Sequence, residues 1–210
     1  MRREALQRRL EEGVGLALPE ASCERLAAYA ALLMRWNRAY NLTAARTEEE
    51  LVDRHLVDSL VIRAYLQPGP LLDVGSGPGL PGLPLAILEP ERSVTLLDSS
   101  GKKARFLRQC CTELGLGQVT VRQARMEALA EGGYAVVTAR AVAALKELIP
   151  ATRHLLALGG RLLALKGERA EAELQALPED EAAGLEVHEL PTVGGRGRAR
   201  LVIRRAPGPP

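Results

Sequence analysis

Residues 71–82 read LLDVGSGPGLPG, and this stretch decides how the rest of the chain is interpreted. An apolar pair predicts a short buried strand and leads to an acid, Asp73. Three glycines follow at alternate positions: Gly75, Gly77 and Gly79. A helix-forming stretch then begins near Pro84. Because a strand, a glycine turn and a helix N-terminus let a ligand approach bare backbone, the stretch predicts a cofactor loop.

A change in hydrophobic period near this loop predicts two kinds of structure. Apolar residues before the loop recur at helical spacing, and Thr47 with Glu50 forms a capping box that opens one of the helices. After the loop begins, short apolar runs alternate with helical stretches, which is typical of a parallel sheet with helices on both faces. We therefore predict a helical extension over residues 1–67 and an α/β domain over residues 68–210.

The elements of the α/β domain are predicted from the same alternation. The strand candidates are 71–74, 93–97, 118–121, 134–138 and 160–165, with two more at Val187 and at 199–203. The helix candidates between the first five strands are 82–88, 101–115, 125–131 and 141–157. A hairpin-like pair around Gly194-Gly195 is expected to close one edge of the sheet.

Composition excludes several classes of protein. No stretch approaches the roughly 20 apolar residues of a membrane span. The N-terminal residues 1–13 lack the apolar segment of a secretory signal. The three cysteines do not have the spacing of zinc ligands. We therefore expect a cytoplasmic protein with no metal centre.

Charge is distributed unevenly along the chain, although the net charge is only +2. The final segment, residues 189–210, holds one acid, Glu189, and five arginines: Arg196, Arg198, Arg200, Arg204 and Arg205. A basic segment of this kind indicates a phosphate-bearing partner. A solubilised edge strand explains the same charges, and the two interpretations stay open.

Two acids indicate which cofactor the loop binds. Gly77, Gly79 and Gly82 spell the dinucleotide pattern GxGxxG. However, Asp73 would repel a pyrophosphate and attract the ammonium group of S-adenosylmethionine. Asp98 ends the next predicted strand, where its carboxylate can accept both ribose hydroxyls of either cofactor. The pattern favours S-adenosylmethionine and keeps NAD as an alternative, and each acid alone could be only a turn or cap residue.

Seven segments, in this order, resemble the GidB/RsmG family of bacterial 16S rRNA guanine-N7 methyltransferases. They are WNRAYNLTA at 36–44, RHLVDSL at 54–60, LLDVGSGPGLPGLPLAI at 71–87, LLDSSGKKARFL at 96–107, ARMEAL at 124–129, TARAVAAL at 138–145 and LLALKG at 162–167. The resemblance implies a class I methyltransferase fold, with a seven-stranded, mostly parallel sheet and a helical N-terminal extension. It also implies transfer of the methyl group of S-adenosylmethionine to N7 of one guanosine in the 530 loop of 16S rRNA (position 527 in standard rRNA numbering).

The resemblance also implies a set of cofactor-binding residues. The methionine part would lie in the glycine loop, the ribose and adenine near Asp98, and the adenine between Met126 and Glu127. Arg140, after the fourth strand, would complete the site. The full set is Asp73, Gly75, Gly77, Gly79, Leu80, Asp98, Ser99, Ser100, Met126, Glu127 and Arg140.

Guanine N7 carries a lone pair and no proton, so its methylation needs no general base. We therefore assign no catalytic residue and name Asn41 and Arg140 as candidates for positioning the substrate. The RNA-binding candidates are Tyr40, Asn41, Thr43, Arg54, Lys166, Arg196, Arg198 and Arg200. The expected partner is 16S rRNA or the small ribosomal subunit, bound by a monomer.

Structural roles compete with these assignments. Asn41 and Thr43 could cap helices, His55 and Asp58 could hydrogen-bond locally at spacing i, i+3, and Arg140 could form a structural ion pair. At the level of function, the alternatives are a methyltransferase for another RNA or for a small molecule, and a non-catalytic ribosome-binding module.

Overall fold

The computed structural model describes residues 3–15, 17–191 and 199–208. Its N-terminal part is helical, as predicted. The helices there are α1 (Arg3–Val14), α2 (Glu20–Tyr40), α3 (Glu48–Leu51) and α4 (Val57–Val61). A π-helical turn joins α3 to α4, and a 3-10 turn follows α4. The predicted cap is confirmed, because the Thr47 hydroxyl accepts a hydrogen bond from the Glu50 N–H at 3.1 Å.

The described strands form one seven-stranded sheet, and its order places the cofactor loop near the middle. The strands are β1 (Leu71–Val74), β2 (Val94–Leu97), β3 (Val119–Arg122), β4 (Tyr134–Arg140), β5 (Leu156–Lys166), β6 (Leu185–Leu190) and β7 (Ala199–Arg205). Their order across the sheet is β3-β2-β1-β4-β5-β7-β6. Strands β1 to β5 are parallel, and β7 runs antiparallel to both of its neighbours. The mostly parallel sheet is therefore confirmed.

Buried side chains cover both faces of this sheet. Alternate residues of β1 separate the two layers, because Leu71 belongs to one apolar cluster and Leu72 to the other. The first cluster includes Leu26 and other residues of α2, so the helical part packs directly on the sheet. The second includes Leu148 of α7 (Leu145–Thr152). The remaining described α-helices are α5 (Gly82–Leu88), α6 (Gly101–Leu114), α8 (Ala170–Gln175) and α9 (Glu179–Ala182).

Two predicted helices are wrong in extent. The segment 125–131 forms only a 3-10 turn at Met126–Ala128, because so short a link cannot offset the cost of nucleating an α-helix. The helix expected over 141–157 begins only at Leu145, since Ala141 has a left-handed φ of 53° that no helix accommodates. It ends early because β5 begins at Leu156.

Three further features complete the comparison with the predicted elements. Strands β6 and β7 pair antiparallel as expected, and the predicted turn at Gly194-Gly195 lies outside the described residues. Helices α8 and α9 were not predicted. Within the described ranges, no helix combines the length and apolar character needed to cross a membrane.

Candidate cofactor site

The loop after β1 depends on glycine for its backbone conformation. Gly75, Gly77 and Gly79 have positive φ values of 63°, 57° and 99°, which residues with a side chain rarely adopt. Space is also restricted, because a Cβ on Gly75 would lie 2.5 Å from a methyl carbon of Val142. The loop is fixed to β2, since the Ser76 N–H donates to the carbonyl of Leu97 at 2.9 Å. The sequence pattern therefore corresponds to a narrow, ordered loop.

Asp98 connects the loop to the start of α6. One carboxylate oxygen accepts from the Gly77 N–H at 2.9 Å, and the other accepts from the Ser100 N–H at 2.9 Å. Lys103 lies 3.5 Å from the first oxygen. Each oxygen keeps a lone pair, so the carboxylate can still accept bonds from two neighbouring hydroxyls.

A cavity of about 430 Å³ opens at the carboxyl edge of the sheet, beside the loop. The ends of β1, β2, β3 and β4 all contribute to it, which is the position where open α/β sheets bind ligands. Five of the predicted cofactor residues line it together: Gly75, Asp98, Ser99, Met126 and Glu127. Gly77, Gly79 and Leu80 of the same loop are buried and do not line the cavity.

Asp73, predicted to bind the cofactor ammonium, lies outside the lining of the cavity. Its side chain is fully buried, and its two oxygens accept from the Thr138 hydroxyl at 2.8 Å and from the Gly82 N–H at 3.1 Å. Burial raises the pKa of Asp73 to about 7, although these two hydrogen bonds lower it. In this structure the carboxylate holds the first turn of α5 against β1 and β4, and its contact with a cofactor ammonium stays a prediction.

Arg140 projects away from the cavity, toward the helical part of the chain. Its guanidinium donates to the carbonyl of Arg54 at 2.9 Å and to that of His55 at 3.3 Å, and it lies 3.6 Å from a carboxylate oxygen of Asp58. Arg140 lies outside the cavity lining in this conformation. The geometry therefore supports the structural interpretation of Arg140, as a link between the end of β4 and the π-helical turn.

His55 and Asp58 contact Arg140, which corrects the local i, i+3 bond that we considered for them. Arg140 can only donate, so Nδ1 of His55 accepts from it, and Nε2–H is left to donate to the Thr43 hydroxyl at 3.3 Å. Burial lowers the pKa of His55 to about 4, and Arg140 adds to the effect. Burial also raises the pKa of Asp58 to about 6, although Arg140 opposes it. A neutral histidine and an arginine thus share one buried network.

Residues 41–43 (Asn-Leu-Thr) follow α2, and the first of them lies at the surface. Asn41 is exposed and has a left-handed φ of 50°, as the residue that ends α2. The ring of Tyr40 is 37% exposed and packs on Trp36, with ring centroids 5.2 Å apart. Lys102 of α6 donates to the Tyr40 carbonyl at 3.0 Å, which holds this segment beside the loop between β2 and α6. Tyr40 and Asn41 are therefore accessible to a macromolecular substrate.

The predicted RNA-binding cations differ in burial and in partners. Lys166 is buried and forms an ion pair with Glu173 at 2.8 Å, which favours a structural role over the predicted RNA contact. Arg200 is 15% exposed and lies close to Glu171 and Glu189. Arg54 is exposed. Arg196 and Arg198 lie outside the described residues.

Several residues of the cavity were missed by the sequence argument. They are Leu97, Lys103, Ala124, Arg125, Ala141, Val142, Ala143, Glu147 and Ala151. Ala141 and Val142 directly follow β4, so their position at the carboxyl end of a central strand was a usable signal. No sequence signal pointed to Ala151, because it lines the cavity only through the way α7 packs on the sheet. Among the residues that the structure describes, no cluster of three or more His, Cys, Asp or Glu side chains could hold a metal ion.

Comparison with known proteins identifies the family. The family model for GidB, rRNA small subunit methyltransferase G, matches residues 22–201. A ribosomal RNA small subunit methyltransferase G from Halorhodospira halophila is 64% identical over 206 residues, which cover 98% of each chain.

Solved structures support the class I methyltransferase fold. The crystal structure of a putative O-methyltransferase from Klebsiella pneumoniae superposes with a TM-score of 0.61 at 16% identity, over 97% of both chains. Geranyl diphosphate methyltransferase in complex with S-adenosylmethionine gives a TM-score of 0.53 at 16% identity, over 70% of this chain and 84% of the other. The family model and the close relative show that the chain belongs to the GidB family, rRNA small subunit methyltransferase G.

Proposed function

We propose that this protein transfers the methyl group of S-adenosylmethionine to N7 of one guanosine in the 530 loop of 16S rRNA. The observation that carries the proposal is the cavity at the carboxyl edge of the sheet, where Gly75 and Asp98 meet Met126 and Glu127. Family membership supplies the class of substrate.

The residues of the cavity fit S-adenosylmethionine. Asp98 offers carboxylate oxygens for ribose hydroxyls, while Leu97, Met126 and Val142 provide an apolar lining suited to an adenine ring. Gly75 lines the cavity without a side chain, so a ligand can approach the backbone of the loop there. When bound, this cofactor supplies an electrophilic methyl group on a sulfonium ion.

The protein's contribution to the reaction is alignment rather than proton transfer. Guanine N7 has no proton to lose, so no side chain has to remove one. What the site must do is bring N7 into line with the methyl carbon and the sulfur. As positive charge moves onto the base, the acidic side chains of Glu127 and Glu147 in the cavity lining favour it electrostatically.

The RNA-binding face would lie beside the cavity, on the helical part of the chain. Tyr40, Asn41 and Arg54 are exposed, and Tyr40 offers an aromatic face on which an unstacked base can lie. Arg54 is fixed at its backbone by Arg140, which places an exposed cation near the end of β4. Asn41 and Tyr40 are proposed to position the guanosine.

The test is methylation of 16S rRNA by the purified protein. Small ribosomal subunits and protein-free 16S rRNA from cells that lack the protein are incubated with labelled S-adenosylmethionine, and methylated positions are mapped by cleavage at N7-methylguanosine. We expect one labelled guanosine, in the 530 loop, and no label with the variant Asp98→Ala. Comparing the initial rates of methylation of the two substrates shows whether the assembled particle or the naked RNA is preferred.

Two results would contradict the proposal. Label at another nucleotide, or at an exocyclic atom of guanine, would refute the assigned position. Equal labelling by wild type and Asp98→Ala would show that the cavity is not the cofactor site. Light scattering on the protein with its RNA substrate tests the proposed monomer.

A further inference from the structure

The cofactor loop is held from two sides, and one of them is the helical part of the chain. On the sheet side, Ser76 forms two bonds with β2: its N–H donates to the Leu97 carbonyl at 2.9 Å, and its hydroxyl accepts from the Leu97 N–H at 3.1 Å. On the other side, the hydroxyl of Tyr29 in α2 donates to the carbonyl of Pro78 at 2.7 Å. Pro78 stands between Gly77 and Gly79, so this bond acts at the middle of the loop.

The Tyr29 end of the bond lies in the protein interior, while the acceptor residue, Pro78, is half-buried. Tyr29 is fully buried within the apolar cluster that joins α2 to the sheet. Burial raises the pKa of Tyr29 well above its ordinary value, so the hydroxyl keeps its proton and remains a donor. Because the hydroxyl is held in an apolar interior, its bond to the Pro78 carbonyl is electrostatically stronger than the same bond at the surface.

We propose that Tyr29 is a positioning residue for the cofactor. Through its bond to the Pro78 carbonyl, Tyr29 holds the glycine loop in the conformation that binds the cofactor. This inference rests on the proposed function. Tyr29 does not line the cavity, and its effect is exerted through the loop. It also joins the loop to the helix that ends at Tyr40 and Asn41, so the cofactor site and the proposed RNA face share one structural support.

The size of the effect follows from the freedom of the loop. Gly75, Gly77 and Gly79 all have positive φ, and glycine adopts many other conformations when nothing restrains it. Without the Tyr29 bond, the loop spends less time in the conformation that binds, and the apparent Kd rises in inverse proportion to that fraction. Loss of one buried hydrogen bond corresponds to a rise in Kd of about threefold to tenfold.

The experiment compares Tyr29→Phe with a matched control, Tyr134→Phe. Tyr134 is also a buried tyrosine in a central part of the fold, and its hydroxyl donates to the Thr95 hydroxyl at 3.3 Å, which is not part of the loop. Calorimetry measures the Kd of S-adenosylhomocysteine for both variants and the wild type, and thermal unfolding measures Tm. We expect a threefold to tenfold higher Kd for Tyr29→Phe and no change for Tyr134→Phe.

Each other outcome overturns the inference. An unchanged Kd for Tyr29→Phe would show that the bond does not position the loop. An equal rise in both variants would indicate general loosening of the fold. If the wild type does not bind S-adenosylhomocysteine, the proposed function fails together with this inference, whereas normal binding by both the wild type and Tyr29→Phe contradicts only the role of Tyr29.

Hydrogen exchange on the wild type gives a second test that needs no variant. The N–H groups of Gly79 and Leu80 both donate to the Ser76 carbonyl, at 2.7 and 3.0 Å, so their exchange reports on the loop. Because coupling between two sites is reciprocal, S-adenosylhomocysteine should slow exchange at Gly79, at Leu80 and in α2 around Tyr29. Protection confined to the loop and the strands, with none in α2, would overturn the coupling.

Discussion

Charged residues have different partners in two regions of the sheet: the carboxyl ends of the central strands, and the β6–β7 edge. At the central strands, the carboxylate of Asp98 is fixed by the N–H groups of Gly77 and Ser100, in the loops that follow β1 and β2. At the β6–β7 edge, Arg200 and Arg205 pair with acidic side chains, such as Glu171 for Arg200 and Glu186 for Arg205. The position of a carboxylate at the end of a parallel strand can be predicted from the strand pattern, whereas a cation's role depends on which acids the fold brings to it.

The largest expected effect is at Asp98. Replacing Asp98 with Ala removes the acceptor for the Gly77 and Ser100 N–H groups and the proposed ribose contact. Because hydrogen bonds to a charged group are the strong ones, we expect the Kd of S-adenosylhomocysteine to rise by about a hundredfold. Calorimetry measures it, with Glu171→Ala at the other edge as the control that leaves Kd unchanged. Wild-type affinity in the Asp98 variant would remove the distinction between the two edges.

The second prediction concerns the packing behind the loop. A Cβ on Gly82 would lie 2.3 Å from Leu96 and 2.8 Å from the Asp73 carboxylate, both in the buried interior. We expect Gly82→Ala to lower the free energy of unfolding by about 1–3 kcal/mol, measured in urea. Gly117→Ala is the control, because a Cβ on Gly117 meets nothing within 4 Å. Equal losses in the two variants would show that this packing is not tight.

The third prediction is the pH dependence caused by Asp73. Its pKa is about 7 in the folded protein and near 3.8 in the unfolded chain, so between pH 4 and 7 the folded state keeps a proton that the unfolded state has lost. The free energy of unfolding should therefore fall as pH rises through this window, with a slope of at most about 1.4 kcal/mol per pH unit. The variant Asp73→Asn should lack this contribution.

The difference between wild type and Asp73→Asn isolates this group from its neighbours. Asp58, with a pKa near 6, contributes with the same sign as Asp73 below that pH. His55 contributes with the opposite sign between pH 4 and 6.5, because its folded state binds fewer protons than the unfolded chain. Both groups remain in the variant. If the difference in the free energy of unfolding between wild type and variant stays constant from pH 4 to 7, the pKa of Asp73 is not raised by folding.

Much of the central region could be predicted from sequence, for a physical reason. Glycines with positive φ, an acid at a strand end and apolar runs are all local requirements, so they leave local patterns. The position of Asp98 beside Gly77 followed from the rule that parallel strands end at one edge. The orientation of Asp73 could not be predicted in this way, because its partner Thr138 lies on another strand.

The long side chains show why the rest could not be predicted. Lys166 was interpreted as an RNA contact, but folding places it against Glu173 and the carbonyl of Ala143. In the sequence, Tyr29 is only one of the residues that recur at helical spacing before the loop. Its bond to Pro78 joins positions 49 residues apart, and no local pattern encodes it. Such pairings depend on how complete elements pack, and the sequence specifies them only through the whole fold.

The smallest expected effect compares two arginines as RNA contacts. Arg200 is held by Glu171 and Glu189 on the β6–β7 edge, whereas Arg54 is exposed near the end of β4. Each phosphate contact that is lost reduces the slope of log affinity against log salt by somewhat less than one unit. We therefore expect Arg54→Gln to reduce the slope by about that amount for a fragment of 16S rRNA, measured by fluorescence anisotropy, and Arg200→Gln to leave it unchanged. The opposite result would move the RNA contact to the β6–β7 edge, since it would show that Glu171 and Glu189 give up Arg200 to a phosphate.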